Sequence, residues 1–291
     1  MAGSVLIVNP YATGVTKRLI EEVAAVLGGP RVELTRGRGH ATEIAREVCP
    51  EADAVYVFSG DGGFNEVLNG ADRDTPLGFI PGGGTSVLPR ALGLPAGALR
   101  TAERLARGRT RRISVGRVNG RRFGFSAGLG LDAELVRRVE AHGRGSDGSR
   151  PGDAAFAWEA VRALVDHGGR FAPTLEIEGH GRAAFVLVAN CDVYSYVGPL
   201  PLRLAPEARF ELGIDLVAPR EVRMRTVPRL LAVAMRRRGA AGARGVLYAH
   251  DLDRVRVVCD GPMPLQADGE DLGDVEEALF EAERDAVTVL V

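Results

Sequence analysis

Residues 54–70 read AVYVFSGDGGFNEVLNG. The stretch 54–58 is a continuous apolar run rich in β-branched and aromatic residues, which is how a strand buried on both faces reads. SGDGG cannot continue it. Glycines let the chain turn tightly and bring backbone N–H groups close to an anion. From there, 62–69 reads as a helix, and a helix start adds partial positive charge to those N–H groups. Strand, glycine turn and helix in that order form the repeating unit of a parallel α/β sheet. Asp61 is out of place in a pure anion cradle, because it repels phosphate. It suits a metal ion or the proton of a nucleophile, or it is the cap of the following helix.

The same pattern recurs on both sides. PGGGT at 81–85 follows an apolar run at 77–80. Upstream, a strand at 5–8 ends at Asn9-Pro10, and a helical period over 17–27 leads to a strand at 31–34 that ends at Thr35. A further helix covers 42–48. Strand ends in such a sheet share one edge, and ligands bind in the crevice along it. Four ends converging there point to a nucleoside triphosphate. G-x-x-x-x-G-K-[ST] is absent, and so is G-x-G-x-x-G after the first strand, which disfavours a P-loop and a dinucleotide site.

After about residue 111 the pattern changes. Two alternating runs, 113–118 and 121–126, flank Asn119-Gly120 as a hairpin. Helices follow at 132–140 and 154–166, separated by a Gly- and Ser-rich loop at 143–153. Short strands then dominate: 174–178, 184–189, 210–217, 254–259, 278–283 and 287–291, interrupted by a basic amphipathic segment at 222–238. The expected organisation is an α/β domain over 1–112, with a return of about 284–291, and a strand-rich domain over 113–283.

Composition narrows the classes. The chain has 291 residues, 45% hydrophobic and 26% charged, as in a folded globular protein. Its 37 cationic and 38 acidic residues give a net charge of −1, with no global field for nucleic acid. Lys17 is the only lysine. No apolar run approaches the ~18 residues of a spanning helix. The opening MAGSVLIVNP has no signal-peptide pattern, and Cys49, Cys191 and Cys259 lie far apart without metal spacing. The expected location is the cytoplasm. No His-x-x-x-His pair suggests zinc. The sequence says nothing about oligomeric state.

QADGEDLG at 266–273 gathers Asp268, Glu270 and Asp271 around a glycine, which by itself reads as a solvated turn. Together with the other motifs it has a counterpart. SGDGGFNEVLNG at 59–70 resembles the signature loop of the diacylglycerol kinase catalytic-domain family, bacterial lipid kinases related to sphingosine and ceramide kinases. PGGGTSVLPRALGLP at 81–95, Asn9-Pro10 with Thr13-Gly14, the late QADGE, and YSYVGPLPLRLAPEARFELGIDLV at 194–217 are similar to further segments of that family, in the same order. There are departures. Ser86 and Val87 stand where an Asn is usual, Pro89 replaces a small residue, and Gly63 stands where many members have Thr.

The resemblance implies a small α/β nucleotide-binding domain like that of NAD kinase and a larger β-sandwich-type lipid-binding domain. It implies an ATP- and Mg²⁺-dependent kinase for a lipid alcohol, diacylglycerol first. Carried over, Asn9, Pro10, Thr13, Thr35, Ser59, Gly60, Asp61, Gly62, Gly63, Asn65, Glu66, Gly82, Gly83, Gly84 and Thr85 face the nucleotide. Glu270, Asp61 and Asp132 face the reacting groups, with Glu270 the base and Asp61 coordinating metal or water. By its residues alone, Asp132 in FSAGLGLDAEL is equally a helix N-cap. Glu211, Asp215 or neither takes the place of a metal-supporting acid, because the spacing there differs from the family's. The arginine-rich segment 223–244 is either a peripheral contact with anionic membrane or an ordinary packing helix. The alternatives are a small-molecule kinase resembling NAD kinase and a catalytically weak nucleotide- or lipid-binding regulator.

Overall fold

A computed structural model describes residues 3–142, 153–198, 200–234 and 239–291. Residues 143–152 of the expected loop at 143–153, and Met235 to Arg238 of the basic segment, lie outside them; Asp153 begins a helix. The chain forms two compact units, residues 1–114 with 284–291, and residues 115–283.

In the first unit strands and helices alternate. They are β1 (Val5–Val8), α1 (Lys17–Val26), β2 (Arg31–Leu34), α2 (His40–Val48), β3 (Val55–Ser59), α3 (Asp61–Gly70), β4 (Leu77–Pro81), α4 (Val87–Ala91) and α5 (Ala98–Leu105). β1 lies between β2 and β3, with β4 beyond β3, and every pair is parallel. The path therefore runs one way from β1 to β2 and reverses to reach β3 and β4. Right-handed crossovers then send the connecting helices to opposite faces, and α1 packs with α5 while α2 packs with α3. Burial on both faces explains the continuous apolar runs: Leu6, Ile7, Val57, Phe58, Leu77, Phe79 and Ile80 are buried. Phe64 of α3 meets Phe79 edge-on at 5.3 Å.

Glu66 ties α3 to α2. Its buried carboxylate accepts from the N–H groups of Gly39 (2.8 Å) and Ala41 (3.1 Å), at the start of α2. Its carbonyl accepts from the Thr42 hydroxyl at 2.8 Å. Gly70 lets the helices close up, since a Cβ there would lie 2.3 Å from the Thr42 carbonyl oxygen. α2 has no side-chain cap of its own, so a residue from the next helix supplies it.

The second unit is strand-rich. It contains β5 (Thr110–Val118, which begins in the first unit), β6 (Arg121–Phe123), β7 (Ser126–Leu129), α6 (Leu131–Ala141), α7 (Asp153–Asp166), β8 (Arg170–Phe171), β9 (Leu175–Ile177), β10 (Gly181–Ala183) and β11 (Val186–Ala189). It continues with β12 (Val193–Val197), β13 (Leu200–Arg203), β14 (Ile214–Pro219), β15 (Val222–Arg223), α8 (Val227–Ala234), β16 (Val246–Leu252), β17 (Arg254–Ala267) and β18 (Glu270–Leu290). The main antiparallel path runs β16-β14-β11-β7-β17-β18. Its core gathers Phe123, Leu129, Leu175, Val188, Leu216, Leu265 and Phe280. Among the described residues no helix is long and apolar enough to cross a membrane.

The sequence suggests separate strands at 278–283 and 287–291, with Arg284-Asp285-Ala286 between them. The structure has one 21-residue strand through all of it. Asp285 takes a positive φ of 48°. Its carbonyl accepts from Arg73 (3.1 Å) and Arg112 (3.3 Å), so polar residues sit in the strand without ending it.

Replacing Glu66 with Ala leaves two N–H groups at the start of α2 without their acceptor. The expected loss is about 1–3 kcal/mol in urea unfolding. Glu66→Gln, which keeps one acceptor, loses less. Parent-like stability of Glu66→Ala would show that the link is incidental.

Candidate nucleotide turns and a buried acidic network

In the α/β unit the switch point of the sheet falls between β1 and β3, the place where ligands bind in this topology. Both glycine turns open beside it. The backbone there is tightly crossed: Asn9 N–H donates to the Phe58 carbonyl (3.0 Å), Gly82 N–H to Ser59 (2.7 Å) and Gly14 N–H to Gly82 (2.8 Å). Side chains would not fit. A Cβ on Gly83 would lie 2.9 Å from the Gly60 Cα, and one on Gly82 would lie 2.7 Å from Val15. α3 starts at Asp61 with no side-chain cap, so its first turn presents backbone N–H groups and the positive end of the helix dipole. Asp61 turns sideways, where its Oδ1 accepts from Leu88 N–H at 3.3 Å, in the first turn of α4.

Ser59 and Gly63 interlock. The Ser59 Oγ lies 2.1 Å from where a Cβ on residue 63 would sit. Residue 63 is therefore glycine because the hydroxyl of residue 59 fills its side-chain space. That hydroxyl is buried and has no hydrogen-bond partner among the described residues. An unmet buried hydroxyl costs about 1–3 kcal/mol, and one lying against the first turn of α3 suits a site that takes an acceptor group. Ser86, at φ 48°, donates its hydroxyl to the Gly83 carbonyl at 3.2 Å and so braces the second turn.

The structure separates the other nucleotide candidates. Asn9, Pro10, Ser59 to Gly63 and Gly82 to Thr85 follow neighbouring strands β1, β3 and β4, with Gly84 and Thr85 exposed. Asn9 Oδ1 accepts from Tyr11 N–H at 3.0 Å, closing a turn. Thr13 is exposed in the loop after β1, and Thr35 is buried after β2. Asn65 and Glu66 are both buried: Glu66 caps α2, and Asn65 accepts from Asn69 Nδ2 through its carbonyl (2.9 Å) and its Oδ1 (3.2 Å).

In the strand-rich unit, Asp268 and Gly269 are the two-residue turn of the β17–β18 hairpin, both with positive φ, as a type I′ turn requires. This turn is not solvated. The buried Asp268 carboxylate accepts from three backbone N–H groups: Gly124 (2.6 Å), Phe125 (2.9 Å) and Ser126 (3.2 Å). Glu270, also buried, is paired with Arg121 Nη2 at 2.6 Å.

Asp132 is not an N-cap. Gly130 occupies that position and Asp132 lies in the first turn of α6. Its carboxylate accepts from the Tyr194 hydroxyl (2.5 Å) and from Gln266 Nε2 (2.6 Å). Gln266 Oε1 in turn accepts from Gly269 N–H at 2.9 Å. A side chain at Gly128 would displace the carboxylate, since its Cβ would fall 1.8 Å from Asp132 Oδ2. Burial pushes the Asp132 carboxyl above the usual range, opposed by its bonds to Tyr194 and Gln266, and burial beside Asp132 pushes the Tyr194 phenol well up.

The metal assignment fares differently. Glu211 is exposed and Asp215 is fully buried. Asp215 already accepts from the Tyr248 hydroxyl (2.6 Å), His250 Nδ1 (2.8 Å) and Asp251 N–H (3.1 Å). Among the described residues no group of three or more His, Cys, Asp or Glu could hold a metal ion. Sequence reasoning missed Tyr194, Gln266 and Arg121. The first two lie inside quoted motifs, but nothing in their spacing joins them to Asp132.

With this geometry in view, comparison with known proteins is specific. The family described as diacylglycerol kinase catalytic domain matches residues 4–118. A diacylglycerol kinase of Bacillus subtilis (strain 168) is 30% identical over 241 residues, covering 80% of this chain and 76% of that protein. A diacylglycerol kinase structure from Bacillus anthracis str. Sterne superposes with a TM-score of 0.71 at 19% identity, over 99% of this chain and 96% of that one. An NAD kinase from Archaeoglobus fulgidus, in complex with ATP, shares the fold at a TM-score of 0.50 and 13% identity, over 100% and 94% of the two chains.

The interlock at residues 59 and 63 predicts a non-additive pair. Gly63→Thr alone should cost about 1–3 kcal/mol by overpacking. In the Ser59→Gly background the same change should cost much less, with a coupling of about 1 kcal/mol or more in a double-mutant cycle of urea unfolding. Additive effects would mean that the two positions do not share the space.

Proposed function

This chain belongs to the diacylglycerol kinase catalytic-domain family and is a lipid kinase. From that premise we propose that it moves the γ-phosphoryl group of Mg²⁺-bound ATP onto the hydroxyl of diacylglycerol. The observation that carries the nucleotide half is the pair of close-packed glycine turns at the β1/β3 switch point, with the uncapped start of α3 and the orphaned Ser59 hydroxyl between them. Backbone N–H groups fixed in that arrangement stabilise charge on a transferring phosphoryl group without reorganising. Phosphoryl transfer needs alignment and charge neutralisation more than covalent help.

In this reading the N–H groups of Gly62, Gly63, Gly83 and Gly84 orient the phosphates. Asp61 is the carboxylate nearest to them in sequence and suits a phosphate-bound Mg²⁺, which takes one or two protein carboxylates. The metal would supply neutralisation of the phosphate charge. Glu270 accepts the proton of the acceptor hydroxyl as its oxygen bonds to phosphorus and the bond from phosphorus to the bridging oxygen of ADP breaks. Arg121 orients Glu270. Asp132 acts as a positioning residue, because Gln266 links it to the turn that precedes Glu270. The cytoplasm, where ATP is available, is the fitting compartment.

The test is transfer of label from γ-labelled ATP to a panel of diacylglycerol, a sphingoid base and NAD, using the parent, Glu270→Gln and Asp61→Asn. The parent should label diacylglycerol. Glu270→Gln should lose turnover by about 10²–10⁴-fold and keep its ATP affinity, and Asp61→Asn should need more Mg²⁺. Label on NAD instead of lipid would favour the small-molecule kinase. Near-normal turnover in Glu270→Gln would remove it as the base.

A further inference from the structure

Helix α7 carries two apolar faces. One is buried: Ala163 and Leu164 pack with Phe171, Ala184 and Val222. The other is open to water. Trp158 is 61% exposed, Val161 47% and Val165 59%, and their spacing of three and four residues puts them on one stripe. Met224, 44% exposed, donates its N–H to the Gly169 carbonyl at 3.1 Å, just beyond the turn that closes α7. Scattered apolar residues on a surface need no explanation, but three on one stripe of a helix, among them the chain's only tryptophan, do.

Beside the stripe lies a basic pocket. A shallow depression of about 360 Å³, largely open to solvent, is lined by Gly169, Arg170, Arg223, Met224 and Arg225. Arg170 and Arg223 share one acid, Glu221. Arg225 is exposed and has no acidic partner among the described residues. Three cations against one carboxylate leave the pocket positively charged. Met224 lines the pocket and its backbone is tied to Gly169 just past the end of α7, so the pocket neighbours the C-terminal end of the helix that carries the stripe.

Within the segment 223–244 that the sequence offers for membrane contact, helix α8 is engaged elsewhere. In α8, Val227 and Leu230 pack against the cluster under α7, and Val233 packs against a second core cluster. These three apolar side chains are used in folding. We propose that the membrane-docking surface of this chain is instead the ridge Trp158, Val161, Val165 and Met224 with the arginine pocket beside it, and that its partner is an anionic bilayer. The ridge enters the headgroup–acyl boundary, where tryptophan is favoured, and Arg225 with its neighbours meets lipid phosphates. This rests on the lipid-kinase reading, because a kinase whose acceptor sits in a bilayer must reach it.

Because the chain has a single tryptophan, its fluorescence reports the ridge directly. Emission is followed as vesicles of phosphatidylcholine, or of phosphatidylcholine with phosphatidylglycerol, are added to the full chain. The docking surface predicts a blue shift with the anionic vesicles and quenching by brominated acyl chains. Val161→Ser/Val165→Ser, which keeps the reporter, should weaken vesicle partition at least fivefold. Arg225→Gln should weaken it about fivefold and reduce its salt dependence. An unshifted emission with vesicles that the protein sediments with would overturn the proposal. So would a shift that tracks protein concentration without lipid, which would make the ridge an interface between copies. Phosphorylation of a short-chain, water-soluble diacylglycerol separates the two readings. Retained activity there in the valine variant, with a fall on vesicle-borne acceptor, supports docking. No activity of the parent on any lipid sinks the kinase reading, while an equal loss of both activities in the variant overturns docking.

Discussion

The α/β unit depends on one constraint: three chain segments must cross at backbone-to-backbone distance beyond β1, β3 and β4. Gly82 N–H reaches the Ser59 carbonyl at 2.7 Å, and Gly14 N–H reaches the Gly82 carbonyl at 2.8 Å. Nothing larger than hydrogen fits at Gly83 beside Gly60. From this crossing follow the absence of a cap on α3, the sideways turn of Asp61 onto α4, and the interlock of Ser59 with Gly63. The first turn of a ten-residue helix has no side-chain cap, while Glu66 from the same helix caps α2. One helix thus leaves its own start without a cap and supplies one to its neighbour.

The strand-rich unit answers a different demand, that of burying carboxylates. Asp132, Asp268 and Glu270 are all buried, and an unpaired charge in such a place is costly. Each has its own solution: three backbone N–H groups for Asp268, Arg121 for Glu270, and Tyr194 with Gln266 for Asp132. The links run through one another, since Gln266 bridges Asp132 to the turn that carries Asp268 and precedes Glu270. Networks of this kind hold geometry closely when every member is satisfied.

Much of this was legible before any coordinates. The apolar runs and glycine turns locate β1 to β4 and α1 to α3 to within a residue or two, helped in β1, β3 and β4 by burial on both faces, which leaves no alternation to misread; α4 and α5 were not read from the sequence. The family resemblance rests on the same turns. Three things were not legible. Polar residues in a paired strand hid the continuity of β18, since Asp285 keeps its place through bonds from Arg73 and Arg112, which lie far away in sequence. The capping duty of Glu66 depends on α2, which no local pattern reveals. The exposed stripe of α7 and the buried one have similar composition, so hydrophobicity alone could not say which face met the core, or that α8 would spend apolar side chains on packing.

The account stands or falls on whether the crossed turns take the nucleotide phosphates. Hydrogen–deuterium exchange of the intact protein, with and without Mg²⁺ and ATP, reads this without altering a residue. Slowed exchange in peptides spanning 59–64 and 81–86, with little change elsewhere in the α/β unit, is the expected result. Protection that leaves both turns untouched while the protein binds ATP would contradict it.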